Sequence, residues 1–315
     1  MRLEKITDQV YTCLQEEPGI GFSNSGLISR GGGVVIDTFW DLAHTRELLA
    51  QYARVTPNLA RRVVNTHHNG DHCWGNQLLP EAEIIGHRSC AKSFGRENPG
   101  LLQMIKSADL SEQPALAEFA KSLDPWDFSG IELTPPSTIF DDRMVLDLEG
   151  TRVELIHVGP AHTESDVIVN LPEQRVLFAG DVVFRLCTPV GWIGSFAHWT
   201  DALDRILALD PEVVVPGHGP LCGSEGPREM KAYLQHVRDE SKYLFDLGLS
   251  ALDAARRIDL GPFEAWHEPE RLLFNVERAY REFRGDPLDE PIDPIPLITD
   301  LYTIRCERWP GGQPQ

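Results

Sequence analysis

Five stretches of the chain run from a short apolar segment directly into a histidine or aspartate. They are "RRVVNTHHNGDH" at 61–72, "EAEIIGH" at 81–87, "VELIHVGPAHTESD" at 153–166, "RVLFAGD" at 175–181 and "EVVVPGH" at 212–218. Short runs rich in Val and Ile, closed by Gly, Pro or Asn, read as buried strands. Strands of one sheet deliver their ends to a common rim, so polar residues far apart in sequence can meet there. A chain built this way must fold around sheets, with a site assembled from several strand ends.

The connecting segments set the layers. "QVYTCL" and "SGLIS" are strand candidates, and "GGGVVIDTF" is a turn followed by a buried strand. "DLAHTRELLAQYARV" is an amphipathic helix with Asp41 as its N-cap. Residues 88 to about 135 lack strand alternation and read as a helical insert interrupted by Pro99 and Pro114. Strands return in "MVLDLEGTRVELIHVG", turning at "EG", and in "DVIVNLPEQRVLFAGD", turning at "PEQ". A helix, "HWTDALDRILAL", precedes the last strand. From Arg228 to about Arg284 the pattern is helical, and the Pro-rich tail beyond reads as extended or disordered chain. The expected fold class is α/β, a sandwich of two mixed sheets flanked by helices. The expected division is a main domain over 1–222 that carries the insert, with a helical extension over 223–315 packed on it.

A net charge of −19 disfavours nucleic acid and anionic membrane surfaces as partners. No apolar run approaches the ~20 residues that span a bilayer. "MRLEKITDQVYTCLQ" has no signal-peptide character, and the six cysteines show no CxxC spacing and read as reduced thiols. A cytoplasmic location is therefore expected. "GGG" at 31–33 lacks dinucleotide-fingerprint spacing, "GDPLDEP" lacks EF-hand spacing, and no GxSxG elbow is present.

Imidazoles and carboxylates are the ligands of hydrolytic zinc, whose catalytic sites leave room for water. In their order, "HHNGDH", "GPAHTESD", "FAGDVVF" and "PGHG" resemble the metallo-β-lactamase superfamily, whose motif HxHxDH is followed by single His, Asp and His ligands. The resemblance runs from about residue 5 to 222 and implies an αβ/βα sandwich with the site at one edge of the sheets. It implies metal ligands at His67, Asp71, His72, His162, Asp181 and His218. His67 and His162 would form one site, and Asp71, His72 and His218 the other, with Asp181 shared. Asn69 departs from the pattern, standing where the second motif histidine belongs. His68 cannot replace that histidine, since a one-residue slip in extended chain turns the side chain over. Either Asn69 ligates weakly or not at all and one ion is held strongly, or its oxygen serves a second, harder ion such as manganese or iron. Zinc is the expected metal.

The resemblance implies a metal-dependent hydrolase in which a metal-bound hydroxide attacks an ester, thioester, lactone or amide carbonyl, with Asp71 and Asp181 as catalytic carboxylates. The alternatives are a non-hydrolytic metalloenzyme (an iron-dependent oxygenase, or a lyase or cyclase) and a non-catalytic binder. His68, Trp126, Trp192 and Phe196 are candidates to line a pocket for a small, partly apolar or aromatic substrate. Asp166 is a candidate to orient a ligand histidine, His87 a strand-end structural residue and Cys73 an inert thiol. The C-terminal helices either close the pocket or form a homodimer face.

Overall fold

The computed structural model describes residues 1–15, 17, 19–57 and 60–309. The first sheet orders its strands β1 (Arg2–Lys5), β2 (Val10–Leu14), β3 (Ser25–Ile28), β4 (Val34–Ile36), β5 (Arg62–Val64), β6 (Glu83–His87) and β7 (Thr138–Phe140). Its first half is an antiparallel meander, and from β4 to β7 the strands run parallel. The second sheet comprises β8 (Arg143–Leu148), β9 (Thr151–His157), β10 (Val167–Leu171), β11 (Val176–Phe184) and β12 (Val213–His218), in the order 12-11-10-9-8. Only β11 and β12 pair in parallel there. Both sheets are mixed, as the alternation of hairpin turns and helical crossovers requires.

The "EG" turn between β8 and β9 places Glu149 and Gly150 at φ 55° and 89°, the left-handed pair that suits the twist of a two-residue hairpin. The inner faces of the sheets meet in one core, including Ile28, Ile36, Val64, Ile85, Leu155, Val169, Phe178 and Val215. Helix α1 (Leu42–Tyr52) covers the outer face of the first sheet through Leu48 and Tyr52, which pack with Leu27, Val35 and Phe39. Asp41 caps it as expected, accepting from the His44 amide at 2.7 Å.

The short helix α2 (Gly70–Cys73) follows β5. The insert holds α3 (Arg88–Ser93), α4 (Pro99–Ser107) and α5 (Pro114–Ser122). Pro99 and Pro114 open α4 and α5 instead of interrupting a helix, because the first turn has no hydrogen bond for a proline to break. The insert closes over Trp40 and Trp74 with Phe94, Leu123, Trp126 and Phe128.

Helices α6 (Phe196–Ala208), α7 (Glu225–Asp246), α8 (Ala251–Arg257) and α9 (Leu272–Arg284) form a continuous core on the outer face of the second sheet. The tail corrects an expectation: its prolines precede α10 (Ile298–Arg308), an 11-residue helix that buries Ile304 and pairs Arg305 with Glu118 of α5 at 3.0 Å. Residues 310–315 lie outside the described residues. Among the described residues, no helix is long and apolar enough to cross a membrane.

Candidate metal centre

Each of the candidate residues arrives at the same rim. His67 follows β5, Asp71 and His72 sit on α2, His162 lies in the β9–β10 connection, and His218 ends β12. Asp181 lies within β11, where pairing with β12 slips on both sides of Gly180. Such an irregularity re-aims a side chain that a regular strand would hold in register. Gly217 allows the close approach, since a Cβ there would fall 1.9 Å from Asp181 Oδ1.

The ring nitrogens divide into outer and inner sets. His72 Nδ1 lies 3.0 Å from Asp37 Oδ2, His218 Nδ1 3.0 Å from the Phe22 carbonyl and His162 Nδ1 2.5 Å from the Val190 carbonyl. Thr66 Oγ1 donates to Asp37 Oδ2 at 2.7 Å, so it accepts from His67 Nδ1 at 3.1 Å. All four outer partners are acceptors, so each Nδ1 carries a proton and each Nε2 points inward, free to present a lone pair to a cation. His72 Nε2 lies 3.1 Å from Asp181 Oδ1 and 3.4 Å from His218 Nε2. From Asp181 Oδ2, His218, His162 and His67 Nε2 stand at 3.2, 3.4 and 3.9 Å. Asp71 Oδ2 is 3.4 Å from His218 Nε2 and 3.7 Å from His72 Nε2.

Inward-facing Nε2 atoms and carboxylates thus crowd together, an arrangement that a cation resolves. His67 Nε2 and Asp181 Oδ1 are buried without any hydrogen-bond partner. Two overlapping groups, His67–His72–Asp181 and Asp71–His72–His218, have ligand atoms close enough to hold an ion. These residues fit a divalent metal with imidazole and carboxylate ligands.

The carboxylates draw positive charge into the centre, whether it is carried by a second proton on a ring or by a cation. Burial would raise the Asp181 carboxyl, yet His218, His72 and His162 hold it well below the usual carboxylate range. Burial opposes the charging of His72 and His218, but Asp181 and Asp71 raise both, His218 to about 9. Burial and the neighbouring His72 push His67 well down.

The centre is nearly closed. The side chains of His67 and His72 are 1% and 0% exposed, while Asp71 and His218 reach 16% and 11%, which locates the approach to the site beside these two. Trp192 is half-buried with its ring 6.3 Å from that of His162. His68 faces neither ligands nor solvent: it is buried against Ser165 Oγ at 2.9 Å, and burial pushes its ring down to about 4.

Trp126 and Phe196 are corrections. Trp126 is packed among Phe22, Trp40 and His44 with its indole N–H on the Ile20 carbonyl, and Phe196 is packed under the Arg278 guanidinium. Both rings satisfy apolar packing between elements, so neither is a pocket wall. Asp166 touches no histidine ring; it accepts from the amides of Ala161 and Thr163 and from Thr163 Oγ1, building the loop that carries His162. His87 caps α3 and stacks on His157 at 3.7 Å. Cys73 is buried with its thiol donating to the carbonyls of His68 and Asn69.

Two contributors were not anticipated. Asp37, at φ 58° just past β4, ties His72 to the Thr66 amide and hydroxyl. It ends an apolar strand like the five stretches above, and that signal was available. Glu97, between α3 and α4, accepts from the Gly70 amide at 2.8 Å and from Asn69 Nδ2. Burial and Asp71 raise its carboxyl to about 7. Nothing in the sequence of the insert marks it.

Comparison with known proteins points the same way. The family model described as the metallo-beta-lactamase superfamily matches residues 18–218. A linear primary-alkylsulfatase of Pseudomonas sp. (strain ATCC 19151) is 22% identical over 311 residues, covering 84% of this chain and 56% of the relative. The chain therefore spans little more than half that protein's length. The human acyl-coenzyme A thioesterase MBLAC2 is 24% identical, covering 61% of this chain and 71% of the relative. The sec-alkylsulfatase Pisa1 from Pseudomonas sp. superposes with a TM-score of 0.65 at 19% identity, over 90% of this chain and 50% of that one. Sandwich, rim and family match concur: the chain belongs to the metallo-beta-lactamase superfamily.

Proposed function

We propose that this chain is a metal-dependent hydrolase, zinc being the resident ion, that cleaves an ester-type bond in a small, partly apolar substrate. The observation that carries the reading is the convergence of four Nε2 lone pairs on Asp181 and Asp71, with His67 Nε2 and Asp181 Oδ1 unpartnered. A divalent cation held there supplies Lewis acidity and makes water a competent nucleophile near neutral pH. His67 and His162 would hold one such ion and Asp71, His72 and His218 another, with Asp181 available to both.

The chain's own residues do the rest. Asp71 is the carboxylate nearest the opening, so it orients the attacking water and takes up its proton. Asp37, the Phe22 and Val190 carbonyls and Thr66 hold the imidazoles in one tautomer, so no reorganisation precedes reaction. Trp192, beside His162, offers the apolar surface for the substrate's non-reacting part. Two of the relatives are named for cleaving a sulfate ester and a thioester, which supports an ester-type bond as the target.

The test is a product-detecting screen over alkyl sulfates, thioesters, lactones and β-lactams, with and without chelator and under air or argon. The expected result is chelator-sensitive turnover of one class that is indifferent to oxygen. Turnover by metal-free protein overturns the reading, and strict oxygen dependence replaces hydrolysis with redox chemistry.

A further inference from the structure

The Asn69 amide is held from both ends. Its Oδ1 faces His162 Nε2 at 2.8 Å, and its Nδ2 donates to Glu97 Oε1. The other Glu97 oxygen accepts from the Gly70 amide at 2.8 Å. One carboxylate thus receives two donors from consecutive residues of the motif loop. The Gly70 and Asn69 donors favour the ionised form of Glu97, and turning the amide over would set Asn69 Oδ1 against that carboxylate, two acceptors in contact. Glu97 therefore fixes which amide atom looks inward.

The inward side has the opposite problem. His162 Nδ1 donates to the Val190 carbonyl, so Nε2 presents a lone pair to the lone pairs of Asn69 Oδ1. Asp181 Oδ2 stands 3.4 Å from the same nitrogen, and His67 Nε2, without a partner of its own, 3.9 Å from that oxygen. Four potential ligand atoms thus lie in sequence along this side of the centre, and a cation drawn among them would satisfy them together.

We propose that Glu97 is a positioning residue: it turns the Asn69 amide so that Oδ1 becomes an oxygen ligand to a cation shared with His67, His162 and Asp181. Glu97 comes from the helical insert, so the insert takes part in building the centre. The inference rests on the metal-centre reading above. Two nitrogens and two oxygens make a harder donor set than three imidazoles would, so this half of the centre suits manganese or cobalt(II) as well as zinc.

The test is titration of chelator-treated full-length protein with Co(II) and, separately, Mn(II), following stoichiometry by elemental analysis and the Co(II) visible spectrum. Wild type is expected to take up two equivalents per chain. Asn69→Leu should retain one. Glu97→Gln offers only one acceptor to two donors, releases the amide and should weaken the second equivalent by roughly 10–100-fold, the usual effect of losing a residue that orients a ligand. The pair Asn69→Asp/Glu97→Gln restores one inward oxygen and one outward match, and should regain the second equivalent with a shifted Co(II) spectrum. Circular dichroism on each variant separates a lost ion from a lost fold. Equal affinity and spectra for wild type, Asn69→Leu and Glu97→Gln overturn the role of Glu97 while leaving the metal-centre reading intact. No uptake by wild type overturns both.

Discussion

Replacing Arg278 should unfasten the centre from behind. Arg278 lies on α9, is 2% exposed and donates to three main-chain carbonyls: Nη1 to Ala161 at 2.9 Å, Nη2 to Ser195 at 3.0 Å and Nε to Gly194 at 3.1 Å. Its guanidinium stacks 4.9 Å from the Trp199 ring and 5.6 Å from that of Phe196. Among the described residues no carboxylate forms an ion pair with it, so the carbonyls and rings alone hold the charge. Ala161 adjoins His162, and Gly194 and Ser195 belong to the loop whose Val190 carbonyl orients His162. Arg278→Met keeps the length and leaves the buried Ala161 and Gly194 carbonyls without donors, each costing about 1–3 kcal/mol, while the Ser195 carbonyl keeps the Trp199 amide at 3.3 Å. These costs are not additive, because both loops can relax together, and the expected loss is about 4 kcal/mol. That is a large part of the ~5–15 kcal/mol that holds a typical domain together. Arg278→Lys keeps the charge but cannot fork to three carbonyls, so it should recover only part of the loss. Gly191→Ala attacks the same clamp from its partner, because a Cβ there would fall 1.9 Å from Arg278 Nη1. Urea unfolding of the four proteins gives the midpoints and slopes. An Arg278→Met variant within 1 kcal/mol of wild type, at unchanged slope, refutes the clamp.

Gly217→Ala should cost metal binding, because its Cβ would collide with Asp181 Oδ1 at 1.9 Å and with the Gly180 carbonyl carbon at 2.7 Å; elemental analysis of the folded variant reads the loss. Asp41→Ala should destabilise by about 2 kcal/mol, since Asp41 caps α1 and also accepts from the Asp127 amide of the insert at 3.0 Å. The difference should depend on pH in both directions. Burial opposes the Asp41 charge, but His44 and the amides of His44 and Asp127 lower its carboxyl, so its contribution is present above the ordinary 3.8 and fades as acid passes its folded value. Asp41 in turn raises His44, whose contribution is complete below the ordinary 6.5 and fades as pH climbs through its raised value. Melts of wild type and variant should therefore differ most between pH 4 and 6.5, and a pH-independent difference contradicts the pairing.

The sandwich was legible because its strands are short, β-branched and closed by turn residues, and because Asp41 and the "EG" turn carry local signals that tertiary packing did not override. The candidate ligands were legible for the same reason, each standing at the end of an apolar run. Strand β1 escaped because its charged residues lie on an edge, where one face stays wet. Helix α10 escaped because prolines dominate the composition ahead of it, although proline at a helix start is compatible with helix beyond. Aromatic density in the insert suggested a substrate wall, but Trp126 fills the space over Trp40, a contact between segments 86 residues apart that no local pattern encodes. Glu97 escaped for a like reason: its meaning lies in where the insert folds back, on the amide of Asn69. That amide, which by sequence alone marked a weak or missing ligand, sits in the structure with its oxygen directed at His162.

The central claim is that the rim residues hold a metal on which turnover depends. Elemental analysis of the purified protein, beside His72→Ala and Asp181→Ala variants shown to be folded by circular dichroism, tests it most directly. The account predicts at least one divalent ion per wild-type chain, its loss in both variants, and activity that falls with metal content and returns when metal is restored to chelator-treated wild type. Full activity in a metal-free chain, or metal content untouched by both substitutions, contradicts it.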